Sequence, residues 1–289
     1  MAATPSPLWY ALTTTTRTAL ESGALHTIPT HFDYLDHGGV HFLVRVLDNL
    51  ARKDKAKKKQ DAKGPDYNPF LPYEQDLFVA RLPPAHVALL NKFNVADHHL
   101  LVITENFEHQ SELLTAGDFL ALWTCLAEID GLAFYNGGLE AGASQKHKHL
   151  QVVPLPLVDQ GPVVPMNPLL PQGNAETNKV LPFVHRFARM KPDGKHHPQE
   201  AASEMFGIYR RLMKDLGLWA DANRQTGSYN LIATREWLML APRSQEAYRG
   251  IAVNALGFAG TLLVRNDDLL ALLQEIGPME LLAEVGVRV

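Results

Sequence analysis

A chain of 289 residues with 46% apolar and 20% charged residues can bury a sizeable core, and at roughly 150 residues per domain it holds one large domain or two small ones. Its 27 Lys and Arg against 31 Asp and Glu give a net charge of -4, which excludes a dedicated nucleic-acid wrapper or a polybasic membrane binder but leaves local patches open. The single cysteine, Cys125, excludes an intramolecular disulfide framework and a multi-cysteine zinc site and points to a reducing compartment.

The opening residues, MAATPSPLWY, lack the basic start and unbroken apolar stretch of a secretory signal. No run reaches the roughly 18 apolar residues of a membrane span, so a soluble cytoplasmic protein is expected. After a threonine tract at 13–16, residues 40–47 read as a strand. Residues 52–63 (RKDKAKKKQDAK) set seven basic residues against two aspartates before a Gly-Pro break, the pattern of a solvated loop. Residues 77–80, 87–93, 99–104 and 132–135 are short and rich in Val, Leu, Ile and Phe, and read as strands. Thr115 with Asp118 three positions on signals a helix start, and Phe119, Leu122, Trp123, Leu126 and Ile129 form one stripe after it. Cys125 falls on that apolar side as a small buried residue.

Six prolines between 154 and 173 exclude a helix or central strand there, and residues 191–198 (KPDGKHHP) make a further break. A helix is expected over 199–216 with Met205, Ile208, Tyr209, Leu212 and Met213 inward and Gly217 as its stop. Residues 228–234 and 237–241 read as a hairpin, with Trp237 more apt for core than for base stacking, and a last helix runs over 267–276. Strands joined by short loops rather than by helices at every crossover predict an α+β fold with a mainly antiparallel sheet.

The chemistry concentrates in residues 135–154. If 147–153 is a strand, His147, His149 and Gln151 share one face and Lys148, Leu150 and Val152 the other. Just upstream, Gly137, Gly138 and Gly142 with Ala141, Ala143 and Ser144 leave backbone N–H groups accessible to phosphate oxygens. Taken alone, the His-x-His pair also suits a zinc or copper pair or two idle surface residues, and no third strong ligand is evident. His98-His99, His196-His197 and His185 read as surface or loop residues, because adjacent strand positions point to opposite faces and do not chelate.

Together, His147-Lys-His149-Leu-Gln151, Gly142-Ala-Ser-Gln145 and Asn136-Gly137 resemble the histidine-triad superfamily, and within it the ATP adenylyltransferases, or diadenosine tetraphosphate phosphorylases. Leu90-Asn-Lys-Phe93, Ser228-Tyr-Asn-Leu231, Thr234-Arg-Glu-Trp237 and residues 255–260 resemble further family segments in order. The resemblance implies a histidine-triad-like sheet flanked by helices, with residues 1–170 as the catalytic half and 171–289 as a carboxy-terminal half completing one unit. It implies that His149 attacks an α-phosphorus, that His147 positions the phosphoryl group or adjacent backbone, and that Gln151 donates a hydrogen bond. Histidine in place of Gln151 marks the superfamily's hydrolases. Lys92 with Asn91, Asn136, the loop Gly142, Ala143, Ser144 and Gln145, and Lys53 from the basic run are the implied substrate contacts. Asn230, Thr234, Met239 and Arg243 would line the far nucleotide.

A neutral imidazole, with an ordinary pKa near 6.5, is a competent nucleophile toward a phosphoanhydride. Gln151 has no acid-base chemistry near neutrality, which favours substrates with a good leaving group and an anionic acceptor. The expected partners are a dinucleoside polyphosphate, ATP, ADP and phosphate, with Mg²⁺ carried on the substrate phosphates, no organic cofactor, no nucleic acid, no membrane, and a monomeric protein. A hydrolase or a hexose-phosphate uridylyltransferase is the alternative within the fold. A nucleotide sensor or an RNA-binding module is the alternative outside enzymology, and the lysine cluster without interleaved aromatics speaks against RNA.

Overall fold

The helix predicted by a threonine and an aspartate three apart is present in the computed structural model, which describes residues 6–48, 64, 67–159, 161–173, 175–191, 197–220 and 223–289. The Thr115 hydroxyl accepts the N–H of Asp118 at 3.2 Å, and the Asp118 carboxylate accepts the N–H of Thr115 at 2.7 Å. This reciprocal cap satisfies two of the orphan donors at a helix start and opens α2 (Ala116–Glu128), whose Phe119, Leu122, Trp123, Cys125 and Leu126 are buried. Helix α3 (Pro198–Asp215) ends at Gly217, in the left-handed conformation at φ 67° that glycine adopts without steric cost.

The threonine tract belongs to a helix that was not expected, α1 (Pro7–Ser22). β-Branched residues lower helix propensity, but here Thr13 and Thr16 donate back to the carbonyls of Trp9 and Leu12. The ends carry standard signals: Ser6 caps the N–H of Trp9, Pro7 occupies the first turn, and Gly23 closes the helix at φ 76°. Leu8, Leu12, Thr16 and Ala19 form the buried stripe.

Eight strands make one antiparallel sheet: β3 (Phe78–Leu82), β4 (His86–Leu90), β5 (Leu100–Thr104), β6 (Gly131–Gly137), β7 (His149–Pro154), β8 (Arg186–Arg189), β9 (Tyr229–Ala233) and β10 (Trp237–Pro242). Their order is β3-β4-β5-β7-β6-β9-β10-β8, so β6 and β9, from either side of the proline-rich stretch, are hydrogen-bonded neighbours. The α+β reading with a mainly antiparallel sheet flanked by helices is what the structure shows. Strand β4 stops at Leu90, short of the expected Phe93, which is exposed in the turn that follows.

The sheet buries both faces. Helices α1, α2 and α3 cover one, packing on Val102, Ala133, Tyr135, Leu150, Val152, Leu231 and Leu240. The other is covered by a three-stranded sheet of β1 (Thr30–His37), β2 (Val40–Leu47) and β13 (Thr261–Val264), in which β13 runs parallel to β2. The helices α4 (Ala255–Phe258), α5 (Asp267–Ile276) and α6 (Pro278–Val285) complete that layer around Leu132, Phe134, Val153, Ile232 and Met239. The short strands β11 (Ala247–Tyr248) and β12 (Ile251–Ala252) form a separate ribbon. A small cluster of Phe70, Val87, Leu89, Leu101 and Ile103 lies on the second face beyond β7. His149 and Gln151 point to this second face, between its two apolar clusters. Among the described residues, no helix is long and apolar enough to cross a membrane.

Candidate active site

The alternation expected along the histidine strand is present, although β7 proper begins at His149 and His147 reaches it through an isolated bridge to His109. Lys148, on the opposite face, is fully buried against Glu108 at 2.5 Å and Asp118 at 3.5 Å, and Asp118 also pairs with His86 at 2.9 Å. A buried ammonium needs such partners, and they tie the histidine strand to the start of α2.

Hydrogen-bond partners fix what each histidine can do. His147 Nε2 faces the Thr104 carbonyl at 2.9 Å, an acceptor only, so Nε2 carries the proton. Its Nδ1 then accepts from the Asn68 amide at 2.9 Å, and that amide is itself oriented by Phe70 N–H donating to Asn68 Oδ1. Both ring nitrogens of His147 are engaged. His149 differs. Its Nδ1 donates to the His147 carbonyl at 2.8 Å, which leaves Nε2 as a bare lone pair with no partner among the described residues. The His149 backbone N–H donates to Gln110 Oε1 at 2.9 Å. Burial lowers the His149 pKa to about 4, and burial also lowers that of His147. His149 is therefore neutral at pH 7 with its free nitrogen available to attack.

Gln151 completes the row. Its Oε1 faces His99 Nε2 at 2.9 Å, and His99 Nδ1 faces the Asn91 amide at 3.2 Å. His99 is thus buried beside β5 rather than at the surface, and burial lowers its pKa to about 4. The surface reading also fails for His185, a buried ring that accepts from the Asn178 N–H and donates to the Phe183 carbonyl. His197 is exposed at the start of α3 and His98 is half-buried against Thr16 and Trp9. His196 lies outside the described residues.

The glycine loop runs from β6 to β7. The N–H groups of Ala141, Gly142 and Ala143 are engaged within the loop, by the carbonyls of Gly138 and Leu139. Those of Ser144 and Gln145 have no acceptor among the described residues, so the accessible donors are narrower than the sequence suggested. Gly142 sits at φ 88°, where a Cβ would lie 3.1 Å from the Val253 carbonyl, so the turn requires glycine.

Several expected substrate contacts are structural. Arg243 is buried, with Nε on the Val285 carbonyl, Nη1 on Asn230 Oδ1 and the Val253 carbonyl, and Nη2 on the Gln245 and Glu246 carbonyls. Asn230 gives its amide to Asn136 Oδ1 and the Ala141 carbonyl. Asn136 Oδ1 also accepts the Ala255 N–H, leaving Asn136 Nδ2 as the free donor of this node. Neither Arg243 nor Asn230 has a donor left for a phosphate. Met239 is wholly buried in the core. Thr234 caps the β9–β10 turn, accepting the Glu236 N–H, at the end of the sheet opposite the glycine loop. Lys92 follows β4 and is paired with Glu74 at 2.6 Å. Lys53 lies outside the described residues. Asn68, Thr104, Gln110 and His99 are the partners that sequence reading missed. Each comes from a different segment, and only the place of His99 at a strand start gave any signal.

His149 thus offers a free, neutral imidazole nitrogen, and the loop leading into its strand offers N–H groups at Ser144 and Gln145 that no described residue engages: a nucleophile and anion-binding donors in chemical type. Residues 1–172 match the Ap4A phosphorylase N-terminal domain and residues 179–288 the ATP adenylyltransferase C-terminal domain. The chain belongs to the Ap4A phosphorylase family, and is by class a nucleotidyltransferase. It is 29% identical over 265 residues to diadenosine 5',5'''-P1,P4-tetraphosphate phosphorylase 2 of Saccharomyces cerevisiae, across 81% of this chain and 79% of that protein. It is 30% identical over 209 residues to the yeast protein APA1, across 66% of this chain and 65% of that one. The fold matches the crystal structure of yeast Ap4A phosphorylase Apa2 in complex with Ap4A, with a TM-score of 0.78, 24% identity and 97% of each chain covered.

Proposed function

We propose that this member of the family phosphorolyses diadenosine tetraphosphate to ATP and ADP, reversibly, through an adenylyl group carried on His149. The observation that carries this reading is His149 Nε2, the one ring nitrogen of the two triad histidines with no partner among the described residues, on a ring whose other nitrogen is held by a backbone carbonyl. Nε2 attacks the α-phosphorus of one end, a P–N bond forms, the bond to the bridging oxygen breaks, and ATP leaves. As the ring acquires positive charge, the Nδ1–H bond to the His147 carbonyl becomes charge-assisted and strengthens. An oxygen of inorganic phosphate then attacks the same phosphorus, the P–N bond breaks, and ADP forms with His149 neutral again.

Negative charge that develops on the transferred phosphoryl oxygens needs positioned donors. The free N–H groups of Ser144 and Gln145, and the Gln151 carboxamide, are the donors this chain supplies. His147 acts through the strand backbone, since both of its ring nitrogens are engaged. Because Gln151 neither gives nor takes a proton near neutrality, a leaving group that needs none, such as ATP, suits the site. Among the described residues no group of three or more His, Cys, Asp or Glu is placed to hold a metal ion. No step of this reading depends on a protein-held ion; Mg²⁺ enters it only on the substrate's own phosphates.

Incubation with diadenosine tetraphosphate, with and without phosphate, tests the reading. ATP plus ADP, formed only with phosphate, and a labelled adenylyl group trapped on His149 are the expected results. ATP plus AMP regardless of phosphate identifies a hydrolase, and intact substrate identifies a binding protein.

A further inference from the structure

His99 lies outside the triad motif yet touches it. Its Nε2 is 2.9 Å from Gln151 Oε1, its Nδ1 is 3.2 Å from Asn91 Nδ2, and its ring leans on Phe134 at 5.7 Å between centroids. The chain of three has one consistent proton arrangement. Asn91 Oδ1 accepts the Phe93 N–H, so the Asn91 amide NH₂ faces His99. His99 Nδ1 is then an acceptor, and a neutral ring with an acceptor at Nδ1 carries its proton at Nε2. That proton fixes Oε1 as the side of Gln151 turned inward. Both N–H bonds of Gln151 are left without a partner among the described residues, on the face of the strand that carries His149.

We infer that His99 is a positioning residue that sets which end of the Gln151 carboxamide meets the transferred phosphoryl group. A carboxamide is nearly symmetric in shape, so packing alone does not choose between its two orientations. Flipped by half a turn, Gln151 would present a lone-pair oxygen to anionic phosphoryl oxygens and oppose transfer instead of assisting it. The Asn91–His99 pair removes that alternative by fixing the tautomer, as outer hydrogen bonds fix the rings of metal-binding histidines. Asn91, implied by the motif as a substrate contact, gains a second task two steps from the reacting phosphorus.

The inference rests on the adenylyl-transfer reading for its kinetic consequence, but its structural half stands separately. In the full-length protein, ¹⁵N spectra of the His99 imidazole are expected to show Nε2 protonated and Nδ1 bare between pH 6 and 8. The opposite tautomer overturns the inference whether or not the protein turns over diadenosine tetraphosphate. Kinetically, His99→Phe keeps the ring volume and removes the donor, and is expected to lower kcat about tenfold with KM changed less than about twofold. His99→Gln restores an N–H at the position of Nε2 and is expected to recover kcat to within about threefold of the parent. Equal kcat in His99→Phe, or a loss that His99→Gln fails to recover although its Tm equals the parent's, would count against positioning. A wild-type protein with the expected tautomer but no phosphorolysis would instead remove the adenylyl-transfer reading.

Discussion

Two polar regions of the sheet look alike in sequence and behave oppositely in space. At the β6–β9 border, Asn136, Asn230 and Arg243 bring amides and a guanidinium together, and nearly every donor and acceptor is engaged within the protein. One strand over, His149 Nε2 and the Gln151 amide NH₂ have no partner among the described residues, and neither do the N–H groups of Ser144 and Gln145 in the loop that leads into that strand. The first region has the stronger charge, yet it is scaffold. Free hydrogen-bonding capacity, not polarity, separates a site from its support.

The largest test of that contrast is His149→Ala. Loss of the free nitrogen is expected to lower kcat on the order of 10⁴-fold or more, at protein concentrations and temperatures where circular dichroism shows the variant still folded. Arg243→Ala is expected to do the reverse. It leaves the Val285, Val253 and Gln245 carbonyls and Asn230 Oδ1 without their donor, costing about 3–5 kcal/mol in urea unfolding, with KM unchanged in the protein that remains folded. A large KM change at full stability would return Arg243 to the site.

A pH series sharpens the contrast in both directions. The kcat/KM profile is expected to keep full activity through pH 6.5 and to fall toward about 4, where His149 protonates. Stability follows the same histidines. His99 and His149 titrate at about 4 in the fold but near 6.5 when unfolded. Between those values the unfolded chain binds more protons, so their contribution is complete above about pH 7. It declines as pH falls toward 4, by up to about 1.4 kcal/mol per pH unit for each ring. Urea unfolding at pH 7.5 and 5 measures the difference.

Smaller effects probe the surroundings. Gly142→Ala places a Cβ against the Val253 carbonyl in left-handed backbone and is expected to cost about 1–2 kcal/mol of stability. Glu74→Gln releases Lys92 from its half-exposed pair. Stability should move by less than about 0.5 kcal/mol, and KM for a polyphosphate substrate should fall slightly as the ammonium gains freedom.

Much of this was legible from residues alone. The Thr115–Asp118 cap, the stop at Gly217, the β9–β10 hairpin and the shared face of His149 and Gln151 follow from local patterns that tertiary packing leaves intact. Helix α1 was hidden because its threonines argue against a helix until their hydroxyls find carbonyls one turn back. Strands β8 and β13 have four residues each, too few to show a period. The partners of the histidines were hidden for a different reason: Asn68, Thr104 and Gln110 meet them only through long-range pairing. His99 was within reach. A doublet at a strand start turns one ring inward, and here that ring is His99, while His98 stays half-buried against Thr16 and Trp9.

The parallel pairing of β13 with β2 sets an order of events during synthesis. Leu43 lies beside Thr261, and Val46 beside Val264, so the sheet that holds β2 waits until residues 261–264 have left the ribosome before that edge of β2 is covered. Until then Val40, Phe42, Val44 and Val46, which become part of the core, stand on an open strand, the kind of surface on which nascent chains associate wrongly. Chains that stop short of residue 261 keep that edge for good, and aggregation of such truncated products, rather than loss of the histidines, is what should first betray an incomplete protein.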